Sequence, residues 1–168
     1  MQEFIDSYIA RHQSVLAQLA GCASDIEMLA HTCITALESG HKLLICGNGG
    51  SAADAQHMAA ELVGRFIADR PALAAIALTT DTSALTAIAN DYGYEDVFSR
   101  QVAGLARADD VLLAISTSGQ SASVLAACET AHSLGCKVVG LSGRDGGALK
   151  EACDAIVIAP ATETAHIQ

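Results

Sequence analysis

The chain has 168 residues, a formal net charge of −10 and 51% hydrophobic residues, only a few of them aromatic. This length suits one domain with a sizeable core, so we expect residues 1–168 to form a single domain. The negative charge argues against nucleic acid or an acidic membrane surface as the main partner, because a polyanion is usually held by a basic face. No apolar run approaches the roughly 18 residues that a membrane span needs.

The N-terminus and the cysteines both indicate a cytoplasmic protein. The first residues carry acidic side chains and lack the apolar segment of a signal peptide. Six cysteines are present without a CxxC pair, and several lie inside apolar runs, as Cys46 does. That pattern is typical of small buried hydrophobes in a reducing compartment.

The first 40 residues predict two helices. Apolar residues between Glu3 and Leu19 recur with a rough helical period. Residues 24–27 form a plausible cap for a second helix that ends near Ser39 and Gly40. Two helices before the first strand exceed what a minimal α/β unit needs, so we expect this extension to pack against another subunit.

Short apolar runs then alternate with helical stretches. The predicted strands are Lys42–Cys46, Leu73–Leu78, Val111–Ile115, Lys137–Leu141 and Ala155–Ile158. The predicted helices are Ser51–Phe66, Asp81–Asn90, Glu95–Leu105, Ser121–Leu134 and a short one at Gly147–Ala152. This alternation predicts an α/β fold, a three-layer αβα sandwich with a five-stranded parallel sheet. In the flavodoxin-like order 2-1-3-4-5, the first and third strands are neighbours.

A glycine-rich turn follows the first strand. Gly47, Gly49 and Gly50 permit a sharp turn, and Ser51 opens an alanine-rich helix. Backbone N–H groups at the positive end of a helix dipole favour an anion, most often a phosphate. The turn also matches the dinucleotide fingerprint formally, but that short motif is weak, so nicotinamide binding is a minor alternative.

His57 and Glu61 lie four residues apart on the same predicted helix. This spacing puts both side chains on one face, one turn apart. They could act in catalysis or supply half of a four-ligand metal site. With Arg65 they could equally form an exposed polar stripe, and the pattern alone leaves both interpretations open.

A hydroxyl-rich loop follows the third strand and contains Ser116, Thr117, Ser118 and Ser121. The ends of the first and third strands open into one crevice in the expected sheet order, so this loop should face the glycine-rich turn. Hydroxyls and free N–H groups are suitable donors to phosphate oxygens.

A polar break at Asn90–Tyr94 follows an apolar helix. A plain turn in which Asp91 caps the next segment accounts for this break. The pattern by itself requires no ligand here.

Four blocks of sequence, in this order, resemble the sugar-isomerase (SIS) domain family and, within it, the phosphoheptose isomerase family. They are GNGGSAADAQHMAAELVGRF, LTTDTSALTAIANDYGYEDVFSRQV, DVLLAISTSGQS and the late GRDGG. The resemblance implies an aldose–ketose isomerase that converts sedoheptulose 7-phosphate to D-glycero-D-manno-heptose 7-phosphate through an enediol, the first step of lipopolysaccharide heptose biosynthesis. The alternative is a non-catalytic SIS protein that binds sugar phosphates or acts in regulation or assembly. Glu61 favours the enzyme, because such relatives tend to lose this carboxylate.

The resemblance also implies roles for individual residues. Glu61 would be the catalytic base, and His57, Glu61 and Gln168 would hold zinc where the family binds it. The substrate-binding residues would be Asn48, Gly49, Gly50, Ser51, Glu61, Asn90, Asp91, Ser116, Thr117, Ser118, Ser121 and Gln168.

The last implications concern the chain end and the assembly. In the family, a His eight residues beyond this Gln serves as partner acid or base and as a metal ligand, whereas the sequence ends at Gln168. His166 stands where many relatives carry Arg. The family is typically a homotetramer with active sites at subunit interfaces.

Overall fold

A computed structural model describes all residues from Met1 to Gln168. The helices are α1 (Gln2–Gln18), α2 (Ala23–Glu38), α3 (Gly50–Val63), α4 (Thr82–Asp91), α5 (Ser99–Leu105), α6 (Ala122–Ser133) and α7 (Thr164–Ile167). The strands are β1 (Leu43–Gly47), β2 (Ala75–Ala77), β3 (Val111–Ser116), β4 (Lys137–Ser142) and β5 (Ala155–Ile158). Short 3-10 segments lie at Leu19–Cys22, Tyr94–Asp96 and Gly147–Lys150.

The five strands form one parallel sheet in the order β2-β1-β3-β4-β5. Every residue of β1 and β3 is buried, which fits their continuous apolar sequences. The predicted sheet order and the α/β class are therefore confirmed, and the two extra N-terminal helices are present.

Helices cover both faces of the sheet and create two apolar cores. Successive side chains of a strand point to opposite faces, so Leu44 belongs to one core and Ile45 to the other. On the second face, Ala55 and Ala59 of α3 are buried one turn apart. Their small side chains let the helix lie close to the strands that position the crevice.

Two predicted boundaries are wrong in the crossover that connects β1 to β2. β2 covers only Ala75–Ala77 because it is an edge strand that pairs with β1 over three residues. α3 ends at Val63 rather than Phe66, and the Arg70 guanidinium donates to the carbonyl oxygens of Glu61 and Leu62 near that end. Arg65 consequently lies outside the helix, and the predicted polar row stops at Glu61.

Two other local predictions need correction. The predicted helix over 95–105 is divided into a 3-10 segment and α5. The second helix starts at Ala23, and no side chain caps its first turn, so residues 24–27 lie within it.

α1 contributes no buried residue to the fold. Its Tyr8 ring lies 4.5 Å from the ring of His166 in α7, which is buried without a hydrogen bond to either ring nitrogen. Along the rest of the helix, Phe4, Ile9 and Leu16 remain exposed. None of the helices combines the length and the apolar character required to cross a membrane.

All six cysteines are free thiols. Burial raises the pKa of Cys46 to about 12 and that of Cys33 to about 11. These groups are therefore protonated at neutral pH and serve as small apolar side chains.

Candidate functional site

The C-terminal ends of β1 and β3 lie side by side and form one crevice. Gly47, the last residue of β1, is in register with Ile115 of β3. Just beyond β1, the side-chain nitrogen of Asn48 donates to the hydroxyl oxygen of Ser123 at 3.0 Å and lies 3.5 Å from that of Ser121. The glycine-rich turn and the hydroxyl-rich loop therefore meet, as the strand order predicted.

The glycine-rich turn is tight, so the first turn of α3 lies close to the end of β1 and borders the crevice. A β-carbon on Gly47 would lie 2.8 Å from the β-carbon of Ser51 and 3.0 Å from the carbonyl oxygen of Ile115. Gly49 precedes the helix with a φ of 58°, a conformation that favours glycine. The free N–H groups of the first helical turn thus lie at the mouth of β1.

The hydroxyl-rich loop begins at the buried end of β3. The Ser116 carbonyl accepts a hydrogen bond from the Ser142 hydroxyl at 2.8 Å, and the Ser118 hydroxyl accepts from the backbone N–H of Gln120 at 3.2 Å. Ser121 precedes α6, yet its side chain makes no capping bond to that helix. Its hydroxyl hydrogen is therefore available to a ligand beside the positive end of α6.

A cavity of about 300 Å³ lies where these segments converge. Ser51, His57, Thr117 and Gln168 all line it, so α3, the hydroxyl-rich loop and the end of the chain border the same cavity. The predicted residues Asn48, Ser118 and Ser121 do not line this cavity and lie beside it in the crevice. The Gln168 amide packs so tightly on Gly50 that a side chain at that position would collide with it. Asp54, which the sequence interpretation did not include, lines the same cavity.

His57 and Glu61 form a pair at the rim of this cavity. The imidazole Nε2 and the carboxylate Oε1 are 3.2 Å apart, and the two side chains are 74% and 40% exposed. Glu61 lines a second groove of about 600 Å³ that also contains Leu62 and Phe66, and His57 borders both spaces. The carboxylate is thus one helical turn away from the cavity between the loops.

The donor chemistry at this rim suits zinc. An imidazole nitrogen and a carboxylate oxygen are among the commonest zinc ligands. The third ligand that the resemblance implies, the Gln168 amide oxygen, is not among the usual zinc donors. His57 and Gln168 share the cavity, while Glu61 is adjacent to His57. The chain holds no group of three His, Cys, Asp or Glu side chains that could bind a metal, so the amide is required to reach three ligands.

Asn90 and Asp91 lie at the C-terminal end of α4, outside the cavity. Both are exposed, and the Asn90 amide donates to the Asp91 carboxylate at 2.7 Å. Asp91 does not cap the next segment as predicted, because it belongs to α4 and Gly93 precedes the 3-10 segment.

Sequence interpretation missed three side chains of this region. Asp54 follows Ser51 by three residues on the same helix, and this spacing could have placed it on the cavity face. The Tyr94 hydroxyl donates to the Asn48 side-chain oxygen at 2.8 Å, and Ser123 accepts from the same amide. No local pattern marks these last two contacts, because they join residues far apart in sequence.

Comparisons with known proteins agree with this architecture. The SIS domain family matches residues 7–143. A phosphoheptose isomerase of Nitratiruptor sp. is 53% identical over 169 aligned residues, which cover 100% of this chain and 90% of the relative. One from Bradyrhizobium sp. (strain BTAi1) is also 53% identical, over 99% of this chain and 85% of the relative.

Solved structures lead to the same family. The phosphoheptose isomerase from Neisseria gonorrhoeae has a TM-score of 0.92 and 45% identity, covering 99% of this chain and 90% of the other. The one from Francisella tularensis has a TM-score of 0.95 and 39% identity, covering 99% and 89%. On these grounds the chain belongs to the SIS domain family and, within it, to the phosphoheptose isomerases.

Proposed function

We propose that this chain is an aldose–ketose isomerase that converts sedoheptulose 7-phosphate to D-glycero-D-manno-heptose 7-phosphate. The observation that carries the proposal is the arrangement of the crevice, in which two loops suited to a phosphate meet, and a carboxylate lies one helical turn beyond His57 at the rim of the adjoining cavity. Relatives about half identical over the whole chain carry the name of that activity. We place the reaction in the cytoplasm, as the first step of lipopolysaccharide heptose biosynthesis.

The phosphate end of the substrate binds between the loops. Ser116, Thr117, Ser118 and Ser121 donate to the phosphate oxygens, together with the N–H groups at the start of α6. The segment from Asn48 to Ser51 lines the remaining side, and its N–H groups face the same space. Fixing the phosphate orients the reacting carbons and can supply several kcal/mol of the barrier reduction.

The chemistry takes place at the opposite end of the sugar. The Glu61 carboxylate removes the proton from C1, beside the C2 carbonyl, and the C–H electron pair forms the C1=C2 bond of the enediol. The carbonyl electron pair moves to O2, which takes up a proton to complete the enediol. The carboxylic acid of Glu61 then returns its proton to C2, and the O1 hydrogen is lost as the C1 aldehyde forms, so two protons leave and two arrive without any net oxidation. The His57 imidazole, 3.2 Å from the carboxylate, orients it. Asn90 and Asp91 contact the sugar hydroxyls in this proposal.

We include one zinc ion held by His57, Glu61 and Gln168. When bound, the metal supplies polarisation of the substrate carbonyl and stabilises negative charge on its oxygen. The proposal is tested by titrating the metal-free protein with zinc against a chromophoric chelator. His57→Ala should weaken zinc binding at least tenfold, whereas His132→Ala, which removes a histidine paired with Asp154, should not. Equal zinc affinity in the parent and His57→Ala proteins would contradict it.

The alternative is a non-catalytic SIS protein that binds a sugar phosphate. Both functions require the phosphate loops, but only the enzyme requires the carboxylate. The deciding experiment incubates the full chain with sedoheptulose 7-phosphate and follows the appearance of an aldose phosphate, with fructose 6-phosphate as a six-carbon comparison. We expect turnover of the seven-carbon substrate at a kcat/KM at least 100-fold higher. Phosphate binding without turnover of either sugar would favour the binding protein.

A further inference from the structure

A short chain of hydrogen bonds spans the crevice between the two loops. The Tyr94 hydroxyl donates to the Asn48 side-chain oxygen at 2.8 Å, and the Asn48 side-chain nitrogen donates to the Ser123 hydroxyl oxygen at 3.0 Å. The same nitrogen lies 3.5 Å from the Ser121 hydroxyl oxygen. One carboxamide therefore joins the turn after β1, the start of α6 and the 3-10 segment after α4.

The two ends of this chain lie in different surroundings. Ser123 is only 4% exposed, so its hydroxyl forms a fixed end beneath the crevice. Tyr94 is 60% exposed, and water could satisfy its hydroxyl equally well. The Tyr94 bond therefore adds little to the stability of the fold, and its main consequence is to hold the Asn48 side chain across the crevice, with the carboxamide nitrogen toward the serines.

That orientation decides how Ser121 can act. With the Asn48 oxygen facing Tyr94, the nitrogen of the same amide faces the serines, and an amide nitrogen can only donate. A serine oxygen that accepts from this nitrogen keeps its own hydrogen free. The Ser121 hydroxyl, which makes no capping bond to α6, can then direct its hydrogen into the crevice.

We infer that Tyr94 and Ser123 are positioning residues for phosphate binding. They hold the Asn48 carboxamide across the crevice with its nitrogen on the serine side, where it donates to Ser123 and leaves the Ser121 hydroxyl hydrogen free for a phosphate oxygen. The inference rests on the proposed function, because it concerns the same substrate site. Neither residue touches the reacting carbons, so neither is catalytic.

The test uses Tyr94→Phe, which removes the hydroxyl and keeps the ring. Its matched control is Tyr92→Phe, because the Tyr92 ring packs under the Arg100 guanidinium at 3.7 Å and its hydroxyl has no partner in the chain. The full-length proteins are titrated with inorganic phosphate by calorimetry, and KM and kcat are measured with sedoheptulose 7-phosphate. The melting temperature of each variant is recorded in parallel.

We expect Tyr94→Phe to raise the phosphate Kd and the KM by similar factors of about three to ten, the usual effect of one neutral hydrogen bond. The kcat should stay within about twofold, because the carboxylate chemistry is untouched. Ser123→Ala should raise the phosphate Kd in the same way, and Tyr92→Phe should leave all values unchanged.

Among the variants, any one of three results would overturn the inference: an unchanged phosphate Kd in Tyr94→Phe, a lower kcat with an unchanged KM in Tyr94→Phe, or an equal effect of Tyr92→Phe. Absence of phosphate binding by the parent would overturn it as well. If the parent binds phosphate but does not turn over the sugar, the isomerase proposal fails, while the ratio of phosphate Kd values still decides the role of Tyr94.

Discussion

Gly119 lies directly against the carbonyl oxygen of Gly146, and no side chain fits between them. The backbone of Gly119 has a φ of 64°, and its carbonyl accepts a hydrogen bond from the Leu149 N–H at 3.0 Å. The loop after β4 thus holds the hydroxyl-rich loop in its observed shape. This contact explains why the late GRDGG block belongs to the same site as the two earlier loops.

Gly119→Ala should therefore destabilise the protein and weaken phosphate binding. Left-handed backbone costs an alanine about 1–2 kcal/mol, and the collision with the Gly146 carbonyl adds a comparable amount. We expect the free energy of unfolding, measured with urea, to fall by at least about 2 kcal/mol. Gly104→Ala is the control, since a β-carbon there meets nothing within 4 Å and the residue lies in α5. An equal effect of the two substitutions would refute the packing argument.

Asp110 makes the stability of the fold depend on pH. The residue is buried, and its carboxylate accepts from the backbone N–H of Lys42 at 3.0 Å, from the Lys42 ammonium and from the backbone N–H of Arg107 at 2.7 Å. Burial alone would raise the pKa of Asp110, but these bonds outweigh it and lower the pKa. Because the folded pKa lies below the unfolded value of about 3.9, the stabilisation is present above that pH and is lost as pH falls through the folded pKa.

Asp110→Asn should reduce the free energy of unfolding at pH 7 by about 2–3 kcal/mol, as expected for lost hydrogen bonds to a charged group. The difference from the parent should shrink as pH falls below the unfolded pKa of about 3.9 towards the lower folded pKa, because Asp110 binds its proton first in the unfolded chain. Asp109→Asn is the control, because Asp109 is exposed and asparagine tolerates its φ of 68°. A difference that stays constant from pH 7 to pH 3 would contradict the assignment.

The exposed stripe of α1 should govern the homotetramer that the sequence resemblance implies. Ile5, Ile9 and Leu16 lie on one helical face and are 42%, 49% and 53% exposed. If this face packs in a homotetramer, Ile9→Glu should give a smaller species by light scattering, because a buried charge without a partner is costly. Ser7→Glu, on the opposite face, should leave the mass unchanged. A parent protein that is monomeric at micromolar concentration would contradict the assembly.

Much of the fold could be predicted because local sequence patterns indicate most of its strands and helices. The apolar run of β3 is buried on both faces, and such a run has few other uses in a protein of this size. The end of α3 could not be predicted in the same way. It involves the Arg70 guanidinium, which follows the Leu62 and Glu61 carbonyls by eight and nine residues and reaches them only after the chain has folded back.

The contacts of the site also fall into two groups, those that follow from the strand order and those that do not. The meeting of the two loops follows from the strand order, and so Asn48 and Ser121 could be placed in one crevice. The contact between Tyr94 and Asn48 could not, since 46 residues separate them and only the position of α4 brings them together. Residues that act through another side chain leave no periodic pattern in a sequence.

The assignment of Glu61 as the base is tested most directly by the turnover of Glu61→Gln with sedoheptulose 7-phosphate. The substitution keeps the size of the side chain and removes its ability to accept a proton. We expect kcat to fall by about 10²–10⁴ while the Kd for inorganic phosphate stays within twofold. The control is Glu129→Gln, which changes an exposed glutamate in α6 and should retain full turnover. Turnover by Glu61→Gln at the parent rate would contradict the account.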